Sequence, residues 1–354
     1  MNGKERFLTS LGRRTPDRAP IFLRDLTLGL DESGLSTPEV CAGMYDADKA
    51  SRSITALHRR LDQDAVVGCI HYVGMEIELL GGEVRFPEWG IPSVMVHPFQ
   101  FTNDPSFELL DLKRDGPFPN VLKCYAQVAG SLGDTTAVVC NLEGPLTKAA
   151  LLRGIENLAL DMQFDPGLAG EYVNYATELG DEYLRAVDSS APLDCAFIAA
   201  ASDNPDIFGP ESFRTYTMPG LARLNRTARD LTLPTIFHPH GDMSANANIS
   251  LLDDILATGI GGFQFAERND PRRLLELMGG RIALMGGIDA FSTLLLGPEE
   301  KIVDETEAFL HLFHPWTGYV FMCSCSLHRG MPLENVEIMM RCARSYGLRK
   351  EYEP

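Results

Sequence analysis

Short apolar runs rich in β-branched residues recur along the chain, and a longer stretch with helical spacing follows each. The runs are APIFL (19–23), DAVVGCI (64–70), TTAVVC (135–140), LDCAFIAA (193–200), LPTIFH (233–238), GGFQF (261–265), RIALMGGI (281–288) and GYVFMC (318–323). Segments apolar on both faces suit a parallel sheet covered by helices, and stretches such as 298–313 and 332–347 carry the helical spacing that such a cover needs. Pro298 and Pro332 fit a first helical turn, where a missing N–H costs little. Eight β-then-α units in 354 residues predict an α/β fold, a single (β/α)8 TIM barrel occupying residues 1–354 as one domain. One segment breaks the rhythm: 70–134 is rich in Pro and Gly and predicts an N-terminal excursion with short strands rather than a separate domain.

Composition narrows the partners. With 31 Lys plus Arg against 49 Asp plus Glu, the formal charge of −18 repels phosphate backbones and anionic lipid heads, and no Lys/Arg-rich run offers a local exception. We therefore expect no nucleic-acid partner. The opening MNGKERFLTSLGRR is charged, and nowhere do roughly 18 apolar residues run uninterrupted, so no membrane association and a cytoplasmic location are expected. The eight cysteines are scattered through apolar segments, as reduced core thiols would be.

The sharpest local signal is Phe237-His238-Pro239-His240-Gly241-Asp242, where the fifth run gives out. Residues two apart on an extended strand point to one side, so both imidazoles could meet one metal ion; two loop histidines with ordinary hydrogen bonds would give the same pattern. Cys323-Ser324-Cys325 closes the last run. In a parallel barrel all strand C-termini open on one face, which brings the loops after strands five and eight within reach of a common centre. Two imidazoles and one thiolate would form a three-ligand zinc set with an open fourth position, whereas two cysteines alternating between core and loop would need no metal. Glu143, Asp203, Glu267 and Asp289 follow strand runs on the same predicted face, where carboxylates either cap helices or serve acid–base chemistry. His58, His71, His97, His311 and His314 are expected as surface or satisfied histidines, and His328 as a loop residue supporting a site from behind. The glycines at 260–262 and 286–287 lack dinucleotide-binding spacing, and no nucleophile elbow surrounds Ser324.

Five ordered segments, Glu5-Arg6-Phe7-Leu8 with Pro16–Pro20, Glu76–Pro87, Glu143–Thr147, Ala283–Asp289 and Met331–Val336, together resemble the uroporphyrinogen decarboxylase superfamily over essentially the whole chain. The resemblance implies the same barrel and two chemistries: cofactor-free decarboxylation, or zinc-dependent methyl transfer with corrinoid proteins. The decarboxylases carry an Arg-Gln-Ala-Gly-Arg run; here the corresponding stretch is Arg24-Asp25-Leu26-Thr27-Leu28, which keeps the first arginine and loses the second. Their Asp after the second strand falls here at His71 or Tyr72, and their late His falls at Cys325. In the methyltransferases that late position is a zinc-binding cysteine, and the earlier ligands form His-x-Cys-Gly, to which His238-Pro239-His240-Gly241 is similar with imidazole in place of thiolate. The exchange removes one negative charge from the metal shell and favours a stronger Lewis acid.

The resemblance thus implies a methyltransferase with His238, His240 and Cys325 as Zn2+ ligands, working with a corrinoid (cobalamin) carried by a partner protein. It would exchange a methyl group with a small-molecule donor or acceptor, a methoxylated compound or a thiol, in either direction. Glu267 is the candidate fourth or outer partner, with Glu143, Asp203 and Glu76 shaping the pocket. The alternatives are a decarboxylase and a superfamily member without catalysis.

Overall fold

The computed structural model describes residues 1–102 and 105–346. Asn103 and Asp104 of the expected excursion, Gly347 of the expected last helix and the rest of the chain to Pro354 lie outside the described residues.

The strands are β1 (Ala65–Val67), β2 (Glu83–Arg85), β3 (Ser93–Val96), β4 (Ala137–Glu143), β5 (Cys195–Ala200), β6 (Thr235–Pro239), β7 (Gly262–Gln264), β8 (Ala283–Gly286) and β9 (Tyr319–Phe321). Seven of them form one curled parallel sheet in the order β1-β4-β5-β6-β7-β8-β9, and β2 and β3 pair antiparallel as a separate hairpin. Every β-strand of the parallel sheet falls within one of the apolar runs or extends it, because a strand buried on both faces has to be apolar throughout. The run at 19–23 forms no strand of its own. Instead Ile21 bridges Phe321 of β9 and Phe22 bridges Ala65 of β1, both in parallel sense. The Phe22 N–H donates to the Phe321 carbonyl (3.1 Å) and the Asp64 N–H to the Ile21 carbonyl (2.9 Å), so this segment is bonded to both edges of the sheet. It stays short because Pro20 has no N–H to donate and Arg24 turns the backbone into the left-handed region at φ +46°.

Alternation along the strands sorts their side chains into two layers. Ala65, Val67, Ala137, Val139, Cys195, Phe197, Ile236, Ala283, Met285, Val320 and Met322 pack on one another inside the curl, joined by Phe7 and Leu11 of the first helix, Gly3–Leu11. Phe22 links them, edge-on to Phe7 at 5.7 Å and to Phe197 at 6.1 Å. The alternate residues, among them Val66, Val138, Ile198, Phe237, Phe263, Leu284 and Phe321, face outward into the helical layer. Leu57, Val121, Leu224, Leu251, Leu274, Ile302 and Val336 come from successive helices and complete that core. Each such side chain removed from water contributes about 1.5–3 kcal/mol.

The last two expected helices run over Glu299–Leu312 and Leu333–Tyr346, so Pro298 and Pro332 stand just before the first turn rather than inside it. The excursion is also shorter than its composition suggests. Phe118–Leu132 is a regular helix whose Val121, Cys124, Tyr125 and Val128 are buried, which leaves the interval after β1 to the hairpin and loops. Among the described residues, no helix is long and apolar enough to cross a membrane.

Candidate metal centre

Extending the inward alternation by one step places Asn141 and Glu143 of β4, His238 of β6 and Gln264 of β7 at the C-terminal end of the sheet's interior. His240 follows directly on β6, and Cys325 lies four residues beyond β9. The ligand atoms of His238, His240 and Cys325 all lie within 4.8 Å of one another, and His240 Nε2 stands 3.8 Å from Cys325 Sγ. Gly241 (φ +93°) turns the chain away just after His240; a Cβ there would sit 2.5 Å from Asn204 Oδ1, so only glycine fits.

The protonation of this trio follows from its contacts. A carbonyl can only accept, so the 3.2 Å contact between His238 Nδ1 and the Gln264 carbonyl puts the proton on Nδ1. Nε2 is then a bare lone pair, buried, facing the Cys325 sulfur and without a hydrogen-bond partner of normal geometry among the described residues. Burial lowers the His238 imidazole to about 4 against the opposing pull of Cys325. Burial pushes the Cys325 thiol up, but His238, His240 and the Arg24 guanidinium together hold it well below the ordinary thiol range. A neutral imidazole lone pair beside a thiolate is the state in which these groups bind a soft or borderline cation.

Arg24 completes the floor of the site. It is buried, lies over the Phe197 ring at 4.4 Å, donates through Nε to Asn141 Oδ1 at 3.0 Å, and sits between Cys325 and Glu143. A non-glycine residue in the left-handed region costs about 1–3 kcal/mol, which the packing of this side chain offsets. Burial lowers its guanidinium to about 10, with Cys325 and Glu143 opposing.

Arg24 connects the trio to a buried ionic network through Glu143. Lys148 donates to Glu76 Oε1 at 2.5 Å and to Glu143 Oε2 at 3.0 Å, and His71 Nε2 donates to Glu143 Oε1 at 3.2 Å. With Met75, Leu110, Leu112, Phe118, Leu179 and Tyr183 these four residues line a cavity of about 20 Å³, room for a single water. Burial opposes charge on Glu143, but Lys148 and His71 hold it far below the ordinary carboxylate range. Burial likewise opposes charge on His71, yet Cys69 and Glu143 raise it to about 9 from 6.5. A raised folded value contributes stability that is complete below about 6.5 and is lost as pH climbs through about 9. The unfolding free energy, measured by urea titration, is therefore expected to drop by up to ~3 kcal/mol between those limits. His71→Asn should flatten that slope; parallel slopes in the two proteins would remove His71 as its source.

The other sequence candidates sit elsewhere. Asp203 is buried and accepts from the Leu146 and Thr147 N–H groups and from the Thr147 and Thr217 hydroxyls, so it anchors the start of helix Pro145–Arg153. Asp289 caps the turn that follows β8 through Phe291 and Ser292. Glu267 is exposed beyond β7 and is not one of the side chains that converge. The strand's inward alternation ends on Gln264, whose amide donates to the Cys323 carbonyl at 2.9 Å while its own carbonyl holds His238. Cys323 turns into the core against the Met339 sulfur, 3.6 Å away. His328 is half-buried, with Ser326 Oγ 2.8 Å from its Nε2. His97 donates to the Leu151 carbonyl at 2.7 Å and His58 meets Thr136 Oγ1 at 3.2 Å, as satisfied histidines do.

The uroporphyrinogen decarboxylase (URO-D) family model matches residues 2–346, and the chain belongs to that family. Among its relatives is the methylcobamide:CoM methyltransferase MtaA of Methanosarcina barkeri, 26% identical over 349 residues, 97% of this chain and 98% of that protein. A methylated-thiol–coenzyme M methyltransferase of Methanosarcina mazei is 23% identical over 77% of this chain and 70% of its own length. A solved methyltransferase from Methanosarcina mazei shares the fold, with a TM-score of 0.85 over 98% of this chain and 99% of that one at 24% identity. These relatives support a methyl-transfer enzyme.

Proposed function

We propose that this chain is a zinc-dependent methyltransferase that moves a methyl group between a small molecule and the cobalt of a corrinoid protein. The fold is read as a single (β/α)8 barrel in which the two-residue segment Ile21–Phe22 serves as the first strand between β9 and β1. The observation that carries the reading is the convergence of His238, His240 and Cys325, with a buried imidazole nitrogen that has no hydrogen-bond partner of normal geometry among the described residues.

The donor set fits zinc: two neutral nitrogens and a thiolate are the ligand types of catalytic sites that keep a fourth position open. Bound there, zinc would act as a Lewis acid on the oxygen or sulfur that gives up or receives the methyl group. The chain's own residues do the rest. Gln264 fixes the ring of His238 and leaves Nε2 free. Arg24 places a positive charge beside Cys325 and adds to the effect of His238 and His240 in keeping it ionised over the Phe197 ring. Arg24 also ties the site to the network of Glu143, His71 and Lys148, in which the His71–Glu143 pair holds a proton. A corrinoid protein covering the open end would exclude water and align the methyl carbon with its cobalt.

The test is methyl transfer by the zinc-loaded protein. Free cob(I)alamin with a panel of methoxylated aromatics and methylated thiols is followed by its conversion to methylcobalamin, and the reverse reaction is run with methylcobalamin and thiols. Turnover with one donor class supports the reading and fixes the direction. No change in either direction, with metal bound, would remove it in favour of a decarboxylase or a binding protein.

A further inference from the structure

Arg329 lies four residues after Cys325 and is not used by the chemistry above, yet its contacts reach two other segments, one N-terminal and one in the excursion. Its N–H donates to Thr27 Oγ1 at 3.0 Å, and its Nε donates to Asp31 Oδ1 at 2.6 Å in a nearly buried ion pair. Its Nη1 donates to the Glu88 carbonyl at 2.6 Å, and its guanidinium lies 4.4 Å from the centre of the Trp89 ring. Asp31 returns a second bond by accepting from the Gly330 N–H at 2.7 Å. Glu88 and Trp89 belong to the turn that joins β2 to β3. One side chain therefore joins the turn of the excursion hairpin to the N-terminal loop and to the loop that carries a candidate ligand.

Charge and exposure make the arrangement unusual. Arg329 has 5% of its side chain exposed, whereas Trp89, the surface it stacks on, is 70% exposed. The indole does not cover itself in a core; its specific contact is the cation beneath it. A guanidinium held by a carboxylate and a carbonyl adds charge-assisted bonds, which are stronger than neutral ones. The hairpin is two short strands, marginal alone, whose Val84, Val94 and Phe86 pack on the core, Phe86 edge-on to Tyr72 at 5.1 Å. Beyond Phe86, the turn is tied down by Arg329 through Glu88 and Trp89.

We propose that Arg329 is a positioning residue that couples docking of the β2–β3 hairpin to the placement of Cys325. When the hairpin turn is seated, the 325–330 loop is fixed at Thr27, Asp31 and Glu88, and the Cys325 sulfur is held toward His238 and His240. When it leaves, Arg329 loses Glu88 and Trp89 and keeps Thr27 and Asp31, while Ser324 and Leu327 stay bonded to Ile288 and Leu26. The loop beyond Leu327 is then held from one side only, and Cys325 ligates less tightly. As a role in metal binding this rests on the reading of the trio as a metal site; as a mechanical coupling it does not.

The experiment uses the full chain loaded with Co2+, whose thiolate charge-transfer absorption reports ligation by cysteine. Arg329→Ala and Trp89→Ala are compared with wild type, and each is also made with Trp316→Phe where Trp89 remains, so that emission comes from Trp89 alone. Expected for Arg329→Ala is a Co2+ affinity weaker by about tenfold or more, a lower charge-transfer intensity at equal loading, and a shifted Trp89 emission. Trp89→Ala, at an exposed position that does not threaten folding, should move affinity and absorption in the same direction by a smaller factor. Unchanged affinity and absorption in both variants, even with a lower melting temperature, would overturn the proposal and leave Arg329 a structural residue. If wild type binds neither Co2+ nor Zn2+, the metal reading fails by itself, and amide exchange decides the coupling. Faster exchange over 322–330 in Trp89→Ala would sustain it, and unchanged exchange would end it.

Discussion

Cys325→Ala is expected to take the zinc content of the purified protein from about one ion per chain to near zero and to lower methyl transfer by at least ~10³-fold, about 4 kcal/mol of barrier. The reason lies in the donor count. Of the three side chains that converge, Cys325 is the only one that brings a negative charge, and two neutral imidazoles without it neither balance a dication nor fix its position. The variant also leaves the buried Arg24 guanidinium without its nearest anion, so a further rise in positive potential at the site opposes any cation. Cys325→Ser should fare little better, because an alcohol at this site stays protonated where the thiol ionises. His240→Ala removes a ligand but keeps the thiolate and Arg24 paired, so its metal loss should come with a smaller drop in stability. Elemental analysis and a cob(I)alamin assay on the three variants check these outcomes. Wild type that stays metal-free after incubation with zinc, or a Cys325→Ala protein that keeps both metal and turnover, would overturn the assignment.

The trio was legible because its signal is local. His238 and His240 are two apart at the end of a run whose alternation is set by Ile236, and Cys325 follows the last apolar run at a distance a loop can span. The same rule carried one step further would have found Gln264, which shares parity with Gly262 on β7. Glu267 drew attention because it is charged, but β7 ends at Gln264 and the buried Phe265 and Ala266 take the chain out of the mouth before Glu267 is reached. Asp203 and Glu143 both follow strands, and nothing local separates them. The difference is made by Thr147 and Thr217, which meet Asp203 from distant positions, and by His71 and Lys148, which meet Glu143. Contacts such as Lys148 with Glu76, or Arg329 with Asp31, are set by how the helices and loops stack on the sheet, and periodicity carries no record of them. Seven of the eight runs coincide with strands of the sheet for the opposite reason: burial on both faces leaves a mark on every residue of a strand. Only the run at 19–23 gives less than its pattern suggests, through the backbone limits of Pro20 and the turn at Arg24.

Lys148→Met should cost about 3–5 kcal/mol of folding free energy at pH 7, measured by urea denaturation, although it keeps most of the aliphatic stem. Lys148 is buried between two carboxylates, and removing its ammonium leaves Glu76 and Glu143 desolvated and facing each other. The sign of the pH effect follows. In wild type, Glu143 has a depressed folded value, so its contribution is present at neutral pH and is lost only in strong acid. In the variant Glu143 loses one of its two cations, its proton affinity rises, and uptake of a proton relieves its repulsion with Glu76. The stability gap between the two proteins should therefore narrow as pH falls from 7 toward 4.5. A gap below about 1 kcal/mol that does not change with pH would show that the ion pairs contribute little. The two carboxylates are not equivalent in this network, because Glu143 retains His71 as a partner while Glu76 has no other cation in its ion pairs among the described residues. Adding Glu76→Gln to Lys148→Met should thus recover part of the loss, whereas adding Glu143→Gln strands the charge on His71 and should recover less.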